Sequence, residues 1–149
     1  MVITAPIGDW ARTGGDRTLP FMFDLDLLLE EYAVCRLPAG SAFPASLKPG
    51  PSDSGVISVT WTPDELSVIC PTNRVPSGAV VETPWRCFRV VGPLDLALTG
   101  VLASLIQPLA EARVNIVTFS TYDTDYLLVP TVRLNEAVDT LTKAGHRIG

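Results

Sequence analysis

From Leu19 onward, apolar residues fall on odd positions (Phe21, Phe23, Leu25, Leu27, Leu29), while Asp24, Asp26 and Glu30 take even ones. This is the period of a half-buried strand. A strand and a turn are predicted there, followed by the mostly apolar run Tyr32, Ala33, Val34, Cys35 and Leu37, which stops at Pro38. The segment Ala42 to Leu47 has room for a turn or two of helix before Lys48-Pro49-Gly50-Pro51 ends it. Val56 to Trp61 and Leu66 to Cys70 read as a hairpin, because Thr62-Pro63-Asp64-Glu65 puts proline at the second position of a type I turn. Pro71 to Pro84 is rich in turn formers, and Arg86 to Val91 reads as a strand halted by Gly92-Pro93.

The second half has a helical period. Val101, Leu102, Leu105, Ile106, Leu109 and Ala112 recur on one helical face, with Thr99 placed to cap the start and Pro108 expected to kink or loosen the turn from Ser104. Strands are predicted at Asn115 to Thr121 and Asp125 to Val129, around Tyr122-Asp123-Thr124. A last helix aligns Leu134, Ala137, Val138 and Leu141, Gly145 supplies its left-handed stop, and His146 to Ile148 form a final short strand.

The hairpin Thr60 to Leu66 can be laid on Thr121 to Leu127 at a constant offset of 61, with Thr, an aromatic, Asp and Leu coinciding. The chain therefore reads as two copies of one unit. Strand, helix, strand, strand, helix, strand is the split βαβ plan; the second copy fits it completely and the first has reduced helices. The expected fold class is α+β, two ferredoxin-like βαββαβ units side by side. The boundaries are a mobile arm at 1–18, unit one at 19–84 and unit two at 85–149.

Composition narrows the chemistry. The 149 residues are 47% apolar and 18% charged, so the chain has a real core. A net charge of -5 lacks the basic face that counterion release from nucleic acid requires. One histidine and three scattered cysteines, Cys35, Cys70 and Cys87, exclude a zinc module, imply no cofactor and favour a reducing compartment. No run of eighteen apolar residues and no basic stretch leading into an apolar one is present, so a cytoplasmic protein without membrane association is expected. The cysteines sit in apolar strand runs and read as core residues. His146, just after a helix stop, can complement the helix C-terminus; Trp10, Trp61 and Trp85 are too far apart for a stacking platform.

Four segments carry a family resemblance: Tyr32 to Pro38; Asp64 to Val68; Gly92-Pro93-Leu94-Asp95 with Leu98 to Leu105; and Ser120-Thr121 with Asp123 to Val129. Over Leu19 to Gly149 the chain resembles the small tandem ACT-domain proteins of bacteria, which are related to the CASTOR-type arginine sensors of animals. That resemblance implies a module that binds an amino acid or related metabolite between modules and pairs as a homodimer. It implies a sensor or regulator, not an enzyme; the alternative is a dimerisation scaffold whose pocket is empty.

The ligand-binding candidates are Asp95, Leu96, Thr99, Gly100, Val101, Thr121, Tyr122 and Asp125. The loop from Gly92 to Thr99 leads into a helix N-terminus, where free N–H groups and the helix dipole suit a carboxylate; equally, Gly92 and Pro93 can simply end a strand and Thr99 simply cap a helix. Asp123 and Asp125 bracket Thr124, and one of them can accept from a ligand ammonium; the resemblance carries Tyr122 and Asp125 into the site; equally, an Asp there can bond its own turn. Asp64 has only that turn role. No nucleophile, positioned base or metal ligand set stands nearby, so no catalytic residue is assigned. The chain departs from the family pattern at Leu96-Ala97, where Phe-Ser is usual, at Tyr122, where Phe is usual, and at Arg113, where Gly is usual.

Overall fold

The computed structural model describes residues 22–149, so the expected arm at 1–18 and Trp10 lie outside the described residues. The elements run β1 (Asp24–Pro38), a 3-10 turn (Ala45–Leu47), β2 (Ser58–Trp61), β3 (Glu65–Pro71), a 3-10 turn (Thr72–Arg74), β4 (Val80–Val90), α1 (Val101–Glu111), β5 (Val117–Ser120), β6 (Asp125–Pro130), a 3-10 turn (Thr131–Arg133), α2 (Leu134–Lys143) and β7 (Arg147–Ile148). This is an ACT-like α+β fold. Its residues group into two compact units, 28–87 and 22–27 with 88–149. The strands β1 and β4 are long enough to have one end in each.

The unit 28–87 follows the order strand, 3-10 turn, strand, strand, 3-10 turn, strand, with its strands arranged β2-β3-β1-β4. Both helices of the βαββαβ plan are reduced to single 3-10 turns. Pro44, Pro49, Pro51, Gly50 and Gly55 deny the first connection a helical run, and Pro76 and Gly78 do the same in the second. The hairpin β2–β3 pairs Trp61 with Leu66. Its turn is closed by the Thr62 N–H donating to the Glu65 carbonyl at 2.9 Å, while the Thr62 hydroxyl accepts from the amides of Asp64 and Glu65. Ala33, Cys35, Leu47, Leu66, Val68 and Cys70 form the core. Burial pushes the Cys70 thiol up to about 12, with the neighbouring Cys35 acting in the same direction and Arg74 against it.

The unit 22–27 with 88–149 holds both helices over a sheet ordered β7-β1-β4-β6-β5. Its core joins Leu25, Phe88, Val90, Leu105, Leu109, Leu127, Val129, Ala137 and Leu141. Val101, Leu105 and Leu109 are buried on α1 and Leu141 on α2, with Val138 packed partly against them. Both helices end in the same hydrogen-bond pattern. Val114 and Arg113 donate to the carbonyls of Leu109 and Ala110, and His146 and Gly145 donate to those of Leu141 and Thr142. This paired closure needs a left-handed residue just past the helix; Gly145 supplies it at φ 99, and Arg113, the position where the family usually has glycine, supplies it at φ 58.

Several expectations are corrected. β1 has no turn: it runs unbroken for 15 residues from Asp24 to Pro38, because Leu29 is exposed and the strand simply continues past it. β4 starts at Val80, inside the stretch read as turns, and runs on through Pro84 to Val90. The matching hairpin turns are offset by 59, not 61: Trp61–Leu66 corresponds to Ser120–Asp125, so Asp64 matches Asp123 and Asp125 matches Leu66. The second copy does not fit the split βαβ plan completely, because β1 lies between its first strand and its last, and β7 pairs in parallel with β1 at Asp24–Arg147 and Leu25–Ile148. Thr99 does not cap α1. The cap position is Gly100, at φ 83, and no side chain hydrogen-bonds there. The helix passes through Pro108 and loosens only at the Ser104 carbonyl, which faces His146 Nε2 at 3.1 Å. His146 itself is buried rather than serving the end of α2 from the surface.

Two outcomes follow from this arrangement. Arg113→Gly removes the Cβ penalty of a left-handed residue and should raise unfolding stability by about 1 kcal/mol in denaturant titration; an unchanged or lower midpoint contradicts the strain. Cys70 is protonated in both states below pH 9.0, but between pH 9.0 and about 12 only the unfolded thiol ionises. Stability should therefore fall as pH rises through that window, and less steeply in Cys70→Ala.

Candidate functional site

Three contacts bring the β4–α1 loop against the β5–β6 turn. The Leu94 N–H donates to the Asp123 carbonyl at 2.7 Å, and the buried Thr124 hydroxyl donates to the Val90 carbonyl at 2.5 Å. Gly92 makes the third possible, since a Cβ there would stand 2.9 Å from the Asp123 carbonyl oxygen. Beyond Gly92, Asp95 folds the loop on itself: its Oδ1 accepts from the Ala97 amide and its carbonyl from the Leu98 amide, both at 2.9 Å. The chain then enters α1 through Gly100. The Ser104 amide makes the first helical bond, to the Gly100 carbonyl, so the amides of the first turn have no intrahelical acceptor.

On the facing hairpin, the Thr121 N–H donates to the Thr124 carbonyl at 2.9 Å and the Thr121 hydroxyl accepts from the Thr124 amide. The Ser120 hydroxyl donates to Asp125 Oδ1 at 2.5 Å, which fixes one carboxylate oxygen and leaves the other for a second partner. Between loop and hairpin lies a cleft of about 210 Å³, the scale of a small metabolite and below that of drug-sized pockets.

Of the sequence candidates, Asp95, Leu96, Val101, Thr121, Tyr122 and Asp125 line this cleft; Thr99 and Gly100 do not. Asp123, the alternative ammonium acceptor, lines it too, as do Leu94, Leu98, Ser120 and Thr124, which sequence reasoning did not assign. Thr124 had a readable signal, being a hydroxyl that the hairpin turn directs back at the end of β4. Tyr122 is 81% and Leu96 70% exposed, so both stand at the rim, whereas Val101 is buried in the wall. Asp95, Asp123 and Asp125 are the charged residues of the lining. Carboxylates thus stand on both sides of the cleft, Asp95 on the loop that enters α1 and Asp123 and Asp125 on the hairpin, beside the uncapped first turn of the helix.

The corresponding place in the unit 28–87 differs. Its hairpin carries Leu66, fully buried, where Asp125 stands in the other. Trp61, in the position matching Ser120, meets the Phe43 ring at a tilt of 35° and a centroid distance of 6.2 Å. Among the described residues, no cluster of three metal-ligating side chains occurs and no helix is long and apolar enough to cross a membrane.

Comparison with known proteins agrees with this architecture. The ACT-domain family model matches residues 80–143, and a second model, for an N-terminal domain, matches residues 30–78. A crystal structure of an Agobacterium tumefaciens protein is 37% identical, covers 86% of this chain and 92% of its own, and superposes with a TM-score of 0.78. The regulatory subunit of aspartate kinase from Thermus thermophilus, at 12% identity, shares the fold with a TM-score of 0.55, over 81% of this chain and 96% of that subunit. The bovine cytosolic arginine sensor for mTORC1 subunit 1 is 30% identical over 97 residues, 58% of this chain. The chain spans 30% of that sensor's length. Fold and sequence together define residues 80–143 as an ACT domain. Over most of its length the chain is a relative of the Agobacterium protein.

Gly92→Ala would force a methyl group against the Asp123 carbonyl. It should lower unfolding stability by roughly 1–3 kcal/mol and shift the amide resonances of Leu94 and Thr124; unperturbed resonances would show that the loop does not depend on this close approach.

Proposed function

We propose that the cleft between the β4–α1 loop and the β5–β6 turn binds an amino acid or a closely related zwitterion, and that the chain is a sensor or regulatory module. The observation that carries this reading is that Val101, in the uncapped first turn of α1, and Asp125 of the facing hairpin line one cleft of about 210 Å³. The ligand carboxylate takes the amides near Val101. Its ammonium takes the oxygen of Asp125 that Ser120 leaves open. Leu96 and Tyr122 close over the rim, and Asp95 and Thr121 hold the two loops in shape. The similarity to the bovine arginine sensor supports an amino acid as the ligand class.

Along the sequence, the reading takes 19–84 and 85–149 as tandem ACT-like repeats lying side by side, with one ligand site, in a cytoplasmic protein that pairs as a homodimer through edge strands or helices. A second reading has a specific observation in its favour. Asp95 and Asp125 already bond Ala97 and Ser120 in their own loops, as they would in an ACT scaffold that holds no ligand.

Thermal unfolding in the presence of each proteinogenic amino acid separates the two. A ligand at 100 times its Kd adds about 2.7 kcal/mol of stability, and the expected result is a rise in Tm with at least one of them. Asp125→Ala should abolish that rise, because it leaves an ammonium unpaired in a partly enclosed cleft, a loss of about 2 kcal/mol or more, while Asp64→Ala leaves it intact. A rise that survives Asp125→Ala moves the site elsewhere, and no rise with any amino acid favours the scaffold.

A further inference from the structure

Pro108 lies inside α1 and has no N–H to give the carbonyl four residues earlier, that of Ser104. A carbonyl stranded in a helix interior needs another donor. Ser104 is buried, with 2% of its surface exposed, so water does not readily supply one. The group that faces it is the ring of His146, whose Nε2 is 3.1 Å from the Ser104 oxygen. The other ring nitrogen, Nδ1, accepts from the Phe23 amide at 3.2 Å. A ring that accepts at Nδ1 and faces a carbonyl at Nε2 is the neutral tautomer with its proton on Nε2, so that it donates to Ser104. The ring also stacks on Phe23 with an interplanar angle of 13°. His146 is held in place by its backbone as well, since its amide closes the end of α2 on Leu141.

We propose that His146 is the positioning residue for the cleft: its imidazole replaces the hydrogen bond that Pro108 removes and so anchors the N-terminal half of α1. The link to the cleft is short. The Ser104 hydroxyl donates to the Val101 carbonyl at 2.7 Å, and Val101 forms the buried wall of the cleft. The anchor thus joins three elements, the start of β1, the turn after α2 and the first turns of α1, at the place where α1 presents its amides. The role rests on the cleft being the binding site only for its consequence; the anchoring itself does not require a ligand.

The pairing of a proline with a histidine remote in sequence gives a test that separates anchoring from mere packing. Pro108→Ala restores an N–H for the Ser104 carbonyl and should make the imidazole dispensable there. Amide hydrogen exchange is measured without any ligand in the full chain, in His146→Leu, in Pro108→Ala and in the double variant. His146→Leu should speed exchange of the Ser104 to Gln107 amides about tenfold, the loss of one buried hydrogen bond, beyond any change in β6. In the Pro108→Ala background the same substitution should speed them by no more than about a third of that factor. The Val101 methyl resonances should move in His146→Leu and return in the double variant. Equal acceleration in both backgrounds, or acceleration spread evenly over β6, overturns the proposal. If His146→Leu does not fold, a double variant that folds supports it and one that does not fold overturns it. Because no ligand enters, failure here is distinct from failure of the amino-acid reading.

Discussion

The contact on which the rest of the helical unit depends is the one between the end of β4 and the β5–β6 turn. Two hydrogen bonds, from Leu94 to Asp123 and from Thr124 to Val90, hold it, and the missing side chain of Gly92 lets the two backbones meet. The candidate cleft is arranged around this junction. It sets where the loop through Asp95 begins, hence where α1 starts, and how far Asp125 stands from it. Loops and turns are usually the softest parts of a fold; here both are tied by hydrogen bonds to the ends of core strands.

Much of this was legible in the sequence, and the reasons differ from element to element. The helices and both hairpins were readable because their signals are local: a face of Leu and Val every three or four residues, proline at a turn position, Gly145 at a helix stop. The cleft-lining residues Asp95, Leu96, Val101, Thr121, Tyr122 and Asp125 were readable because a family motif fixes their order. What was not readable was set by partners distant in the chain. Nothing near Arg147 says that its strand will pair with Asp24, and nothing near Pro84 says that the turn-rich segment before it will be drawn into a ladder. The two hairpins are offset by 59 residues rather than 61, because the letters they share do not coincide with the hydrogen bonds they share. Thr62 and Thr121 play the same role in their turns, although the letter alignment set Thr62 against Asp123.

The two units show how one plan tolerates unequal execution. In residues 28–87, proline and glycine have shortened both helices to single turns while the strand order persists, and hydrophobic residues have replaced the polar hairpin positions. Leu66 in place of an aspartate contributes to the core what Asp125 withholds from it. A carboxylate at the edge of a core costs burial that a leucine would gain. Asp125 with its Ser120 partner stands at the hairpin of the helical unit, while the matching hairpin position in residues 28–87 gives Leu66 to the core.

The pairing of β7 with the start of β1 has a consequence for how the chain acquires its shape during synthesis. Arg147 and Asp24 are 123 residues apart, and a doubly hydrogen-bonded ion pair and a parallel ladder join them. Contacts of such long sequence separation pay their loop-closure cost late and slow folding. The segment 28–87 can mature while the chain is still emerging from the ribosome, because its strands are complete once Val90 has been made. The helical unit cannot close until Arg147 and Ile148 have been made, so β1 must wait with one end unpaired. An emerging chain would thus carry an open sheet edge through most of its translation, and the acidic residues along that end, Asp24 and Asp26, are the kind of charge that discourages an exposed edge from pairing with the wrong neighbour.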